Sequence, residues 1–276
     1  MIPPVQAVQR PAWRRGRWEP GTRHIAEETA VALTYNRATY AVMMATPADL
    51  EDFAVGFSLA EGLIERAGDV EEIEIVAGDR GIEARMWLAP ERLGALDRRR
   101  RAMAGPTGCG LCGLDSLAEA LRPPPAVAAG LVVAPQEIEA AVAALAPAQA
   151  LGRATRAVHA AGFWQPGRGL VALREDVGRH NALDKLAGAL ARAGDDPALG
   201  LVVMTSRVSV ELVQKVARMG AGVLVAVSAP TGLALRVAEE AGITLAAVAR
   251  EDGFELFTHP GRVRDGNAEG TMHDAA

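Results

Sequence analysis

The sequence predicts an α/β protein in two parts, a smaller α+β domain followed by a larger layered one, and three features carry that prediction. In the second half, short apolar runs alternate with amphipathic stretches that stop at Gly194, Gly220 and Gly242, as helices do. In the first half, β-branched and apolar residues flank two turn pairs, Asn36-Arg37 and Gly78-Asp79, in the manner of hairpins. Between the halves, Pro123-Pro124-Pro125 breaks any regular element and reads as a linker. The expected domains are therefore 22–122 and 126–265, with 1–21 as a mobile arm and 266–276 as a disordered tail.

Taken in order, residues 1–21 are rich in Pro, Arg and Gly and show no period. Ile25 to Leu33 and Thr39 to Met44 make the first hairpin. Thr46-Pro47-Ala48-Asp49 reads as a helix start, with a hydroxyl cap, a proline and an acid, and leads into an apolar face from Leu50 to Ala60. Val70 to Val76 and Ile82 to Leu88 alternate as a second hairpin, and Leu114 to Leu121 is helical in pattern. After a helix over Gln136 to Leu145, strands are expected at Leu170–Leu173, Leu201–Thr205, Val223–Val227 and Ile243–Val248. Helices at Ala182–Ala193, Val208–Met219 and Leu233–Ala241 separate them, and such alternation favours parallel pairing.

Half of the 276 residues are apolar and the net charge is −5, with acids and bases well mixed. That balance argues against nucleic-acid binding, which draws on strongly basic domains. No apolar stretch reaches the ~20 residues of a membrane span. Arg10, Arg14, Arg15 and Arg17 precede no apolar region, so a secretory or twin-arginine signal is not expected. A soluble cytoplasmic protein without membrane or nucleic-acid partners follows. The nearly all-apolar sheet elements favour association, and a homodimer is expected.

Chemistry concentrates at Gly108-Cys109-Gly110-Leu111-Cys112-Gly113, which holds the only two cysteines. Thiols at this spacing can bind a metal, cycle as a disulfide or carry a reactive sulfur. A zinc ion needs two more ligands, and no second cysteine pair exists to supply them, so no metal is expected. The run Arg98 to Arg101 just upstream is either a solvated loop or an electropositive mouth that favours thiolate. His159 invites a deaminase reading, but Ala161 stands where that chemistry needs a glutamate.

A second cluster follows from the rule that open parallel sheets bind ligands beyond the carboxyl ends of their strands. There the sequence puts Glu175-Asp176-Val177-Gly178-Arg179-His180-Asn181, Ser206-Arg207, Ser228 to Gly232, and Arg250 to Gly253. Asp176, His180, Ser206 and Ser228 are the candidate ligand contacts, and Asn181, Ser206 and Thr231 also suit helix capping.

Several of these segments together resemble the FdhD family, the formate dehydrogenase accessory sulfurtransferases. They are Cys109 to Gly113, Glu175 to Lys185, Ser206 to Lys215, Ser228 to Thr231, and Phe257-Thr258-His259-Pro260, with Asp52 to Phe57 and Glu61-Gly62. The resemblance covers roughly residues 20–262. It implies a cytidine-deaminase-like three-layer α/β/α second domain without deaminase activity. It also implies that a cysteine desulfurase loads sulfur on Cys109 as a persulfide, with Cys112 as partner. The sulfur then passes to a molybdenum (or tungsten) bis(pterin guanine dinucleotide) bound as a client, for formate dehydrogenase; no permanent cofactor is implied. The family's guanine-nucleotide segment falls on Val248, Ala249, Arg250, Glu251, Asp252 and Gly253, where the two acids leave a backbone role more than a side-chain one. Thr155-Arg156-Ala157 departs from the family's usual Thr-Gly-Gly. Two other readings stand beside it: a non-catalytic cofactor-binding chaperone, and a thiol-disulfide oxidoreductase, which lacks the βαβ setting such motifs use.

Overall fold

A computed structural model describes residues 2–92, 94, 123–250 and 252–265. The helical pattern over 114–121, the arginine run and both cysteines lie outside the described residues, as does the tail from 266.

Instead of an irregular arm, the N-terminal residues form an antiparallel ribbon of β1 (Val5–Arg14) and β2 (Arg17–Ala26). Ile25 therefore belongs to this ribbon and not to the next hairpin. Arg15 and Gly16 turn the chain at φ +47° and +80°, and Trp13 and Trp18, paired in register, stack edge to face at 5.3 Å. Pro11 and Pro20 also face each other, which a two-stranded ribbon tolerates because both strands are edges.

The first compact unit is a four-stranded sheet, order β4-β3-β6-β5, covered on one face by α1 (Leu50–Glu61). Its strands are β3 (Thr29–Tyr35), β4 (Ala38–Ala45), β5 (Val70–Gly78) and β6 (Gly81–Leu88). β6 buries Ile82, Ala84, Met86 and Leu88 and turns Glu83, Arg85 and Trp87 away, the two-residue period of a half-buried strand. The inward set meets Phe53, Ala54 and Phe57 of α1. Thr46 is not the cap of that helix. Asp49 stands at the cap position with φ +53° and no side-chain bond, while Thr46 is fully buried and ties the two units together.

The second unit is a six-stranded sheet, order β12-β11-β10-β9-β7-β8. Its strands are β7 (His159–Gln165), β8 (Gly169–Asp176), β9 (Leu201–Met204), β10 (Val223–Ala226), β11 (Thr244–Arg250) and β12 (Gly253–Thr258). β9, β10 and β11 run parallel, as expected. β7 and β12 are additions that pair antiparallel with β9 and β11, so the sheet is mixed.

Helices cover both faces, making three layers. α2 (Pro135–Ala148) packs Ile138, Ala141 and Leu145 on Leu201, Val203, Val223 and Val225. The short α3 (Ala150–Thr155) follows it. On the other face α4 (Arg179–Ala193), α5 (Val210–Met219) and α6 (Gly232–Ala241) cover Val202, Met204, Leu224 and Ala226. Central strands buried on both faces read as unbroken apolar runs, and these do.

α1 and α4 join the units along their lengths. A Cβ on Gly56 would stand 1.7 Å from the Asp184 carbonyl oxygen, and one on Gly188 would stand 1.9 Å from that of Asp52. The helices thus meet backbone to backbone, which only glycine permits. Arg174 and Arg192 both clasp Asp52 beside that contact, at 2.7 and 2.5 Å.

Candidate functional site

β7 is antiparallel to both β8 and β9, so β8 to β11 direct their carboxyl ends to one rim. Backbone bonds link the loops there side by side. Thr205 N–H donates to Ala160, Val208 to Ala229, Thr231 to Val208, and Val248 to Ser228. The rim inferred from sequence is therefore a continuous edge, running from Asp176 through Ser206 and Ser228 to Arg250.

Within it, the candidates divide sharply by what they touch. Asp176 is fully buried and forms a 2.6 Å ion pair with the equally buried Lys185. Its carboxylate also accepts from Thr46 N at 3.0 Å, Gly178 N at 2.8 Å and Asn181 Nδ2 at 3.0 Å. Lys185 Nζ donates to the Thr46 carbonyl at 2.9 Å, Val177 N to Thr46 Oγ1 at 3.1 Å, and Asn181 Nδ2 to the Met44 carbonyl at 2.8 Å. Asp176 is thus turned inward as the bolt between the units. Asn181 is not a cap either: Gly178 holds that position, and Asn181 lies inside α4. Buried charges need such complete pairing, since an unpaired one is very costly.

One turn along α4 the pattern reverses. Arg179 Nε, His180 Nε2, Ser209 Oγ and Glu211 Oε2 are all buried without a hydrogen-bond partner. They come from the first turns of α4 and α5, which pack together, and Ser209 stands at the cap of α5 without making a cap bond. Burial pushes the His180 imidazole down to about 4, and Lys215, Arg179 and Arg207 add to the shift while Glu211 opposes it. Those charges are the neighbours His180 feels. At neutral pH His180 is uncharged, so each ring nitrogen either donates or accepts. His159, at the rim end of β7 and paired in register with Asp176, is likewise pushed down, chiefly by burial and then by Arg179.

Farther along α4, both Asp184 oxygens accept from Lys215 Nζ at 2.6 Å. Burial nonetheless raises the Asp184 carboxyl to about 6, against the pull of Lys215. A cavity of about 530 Å³ opens beside this pair, between the end of α1 and the flanks of α4 and α5.

The remaining candidates sit farther along the rim. Ser206 is buried and donates to the Arg207 carbonyl at 3.1 Å, while Thr231 does cap α6, accepting from Ala234 N at 3.3 Å. Val248 lies in a bulge of β11 at φ +53°, a conformation a β-branched residue rarely takes. Ala249 is buried, Arg250 is exposed and donates to the Val227 carbonyl, and Gly253 reopens the chain at φ +136°. Asp252 is exposed; Glu251, Cys109, Cys112 and Arg98 to Arg101 lie outside the described residues. Sequence reasoning selects His180 from the unpartnered set and passes over Arg179, Ser209 and Glu211. Their signal is weak, because a serine and an acid opening a helix already read as capping.

Among the described residues no helix is long and apolar enough to cross a membrane. A family model described as FdhD/NarQ family matches residues 26–264. The chain is 52% identical over 257 residues to a sulfur carrier protein FdhD of Agrobacterium fabrum, covering 93% of this chain and 95% of that one. A protein of the same name from Cupriavidus necator is 51% identical, with 91% and 88% covered. A crystal structure from Desulfotalea psychrophila, described as a formate dehydrogenase accessory protein, superposes with a TM-score of 0.73 at 27% identity. That match covers 95% of this chain and 100% of the other.

Proposed function

The chain belongs to the FdhD/NarQ family, and from that premise we propose that it is a sulfur carrier in formate dehydrogenase maturation. In this reading Cys109 thiolate attacks the outer sulfur of a cysteine desulfurase persulfide. The S–S bond of the donor breaks, the desulfurase leaves as a thiolate, and Cys109 holds the persulfide. Cys112 thiol then attacks the inner sulfur, forming a Cys109–Cys112 disulfide and releasing the outer atom as sulfide. Two thiol sulfurs are oxidised and one sulfane sulfur is reduced, so the step balances; a cellular thiol resets the pair. The receiving substrate is molybdenum bis(pterin guanine dinucleotide), destined for formate dehydrogenase. The reading includes a cytoplasmic homodimer as the working form.

The observation that carries it is identity of 52% over 93% of the chain with a protein named for sulfur carriage, in a sequence whose only cysteines form a glycine-flanked Cys-x-x-Cys. The bulged Val248 supports the nucleotide end of the reading, since backbone held in a strained region clusters at ligand sites. The test is intact mass spectrometry after incubation with a cysteine desulfurase and cysteine. One added sulfur on wild type, and none on Cys109→Ala, is expected. Full loading of the variant, or formate dehydrogenase activation by a Cys109→Ala/Cys112→Ala protein, removes the persulfide route and leaves a cofactor-binding chaperone.

A further inference from the structure

The β1–β2 ribbon stands on a tethered base and ends in a bare tip. Near the base Arg23 donates to the Thr155 carbonyl at 3.2 Å, whereas at the tip Trp13 is 60% and Trp18 67% exposed. Its ten residue pairs run without a bulge, so alternate side chains sort onto two faces. Toward the tip one face holds Pro11, Trp13, Trp18 and Pro20. The other holds Arg10, Arg14 and Arg17, with Arg15 in the turn. A two-stranded hairpin alone is marginal in water, and exposed tryptophan beside arginine is the composition of contact hot spots. Strand addition is not the mode, because the facing Pro11 and Pro20 present no N–H at either edge there. What remains is contact through a face.

Charge says what lies opposite. Between Val5 and Ala26 five arginines meet one glutamate, net +4 in a chain of net −5, so everything outside the ribbon carries −9. The same chain also holds an open face of the fitting kind. α1 covers one side of the β4-β3-β6-β5 sheet, and on the other side Val42 is 59% and Met44 50% exposed. The register sets Glu83 in the row of Val42, and Glu74 and Glu72 beside Arg85 and Trp87. Three carboxylates there answer one guanidinium, Arg85, which pairs with Glu74 and Glu83.

We propose that the ribbon of one copy lies on this sheet face of a second copy, and that the exchange is reciprocal. The indole and proline face meets Val42 and Met44. The strands of a ribbon lie only about 5 Å apart, so the long arginines behind reach past its edges to Glu72 and Glu74. Each subunit gives an arm and receives one, which closes as a two-fold dimer. The proposal rests on the homodimer of the reading above and names its contact.

The test is a charge swap read by sedimentation equilibrium on full-length protein. Wild type is expected to be a dimer that loosens as salt rises. Arg14→Glu/Arg15→Glu/Arg17→Glu and, separately, Glu72→Lys/Glu74→Lys each set like charges face to face. Each should weaken the dimer about 10-fold or more. Mixed together, the two weakened proteins should pair again, because each then offers the other an opposite charge. Trp13→Ser/Trp18→Ser should also weaken the dimer about 10-fold or more while circular dichroism stays unchanged. A monomeric wild type overturns the proposal; if that monomer co-sediments with phosphatidylglycerol vesicles, the ribbon belongs to a membrane instead. A dimer unmoved by both reversals, or a mixture that does not pair again, also overturns it. Should the sheet variant unfold, the arginine and tryptophan variants decide, and a dimer unmoved by both sinks the idea. Sulfur loading of Cys109 in the same samples separates the two claims. Loading with a dimer indifferent to the reversals sinks only the proposal, and renewed pairing without loading sinks only the sulfur-carrier reading.

Discussion

Helix α4 carries two polar clusters within two turns of each other, and they are built on opposite terms. Around Asp176, Lys185 and Asn181 the buried charges are met by Thr46, Gly178 or one another. Around Arg179 and His180, four comparably buried atoms meet nothing. Residue type does not separate them, since both sets hold an acid and a base from a single rim. Satisfaction does. A saturated cluster holds the units together, and an unsaturated one on the same rim contributes no such hold.

That contrast makes graded claims about stability. Asp176→Ala strands Lys185 as a buried unpaired charge and should cost about 3–5 kcal/mol in urea unfolding. A loss under about 1 kcal/mol would mean that the joint is not what holds the units together, and the distinction would collapse.

His180→Gln acts through pH. The folded imidazole is pushed down to about 4 from a usual value near 6.5, so the folded state resists a proton that the unfolded chain accepts. Wild type is therefore fully stabilised by this residue above pH 6.5 and loses that stability as pH falls toward 4. The variant should show a flatter decline over the same window. An unchanged slope would mean that His180 is already partnered by solvent.

The smallest effect sharpens the comparison most. Ser209→Ala removes a hydroxyl that bonds to nothing, so thermal unfolding should stay within about 0.5 kcal/mol of wild type or rise slightly. A loss as large as that of Asp176→Ala would place Ser209 in the structural set instead.

How much of this the sequence discloses depends on how local each signal is. β9 to β11 are readable because strands covered on both faces must be apolar throughout. β7 is not, since His159-Ala160-Ala161-Gly162 has poor strand propensity and is held by β8 and β9 on either side. The β1–β2 ribbon escapes because it buries neither face, so no alternation marks it. Arg156 shows the reverse case: it ends α3 at φ +57°, which explains why glycine suits that place and why an arginine there goes unnoticed as a cap. The rim was legible from the order of strands and helices. Its division was not, because nothing in Asp176 or Arg179 as residues tells which will find a partner 130 positions away, as Asp176 finds Thr46.

The bare meeting of Gly56 and Gly188 bears on how such a molecule can work. With two spines pressed together and Asp52 held by Arg174 and Arg192 across the joint, the two units meet as one welded seam. Expressed alone, residues 126–265 would expose Gly188 and strip the Asp176–Lys185 pair of its Thr46 partners. A parting of the two blocks would have to break that backbone contact and the Asp52 pairs together, so the edges of the weld are the easier way past it.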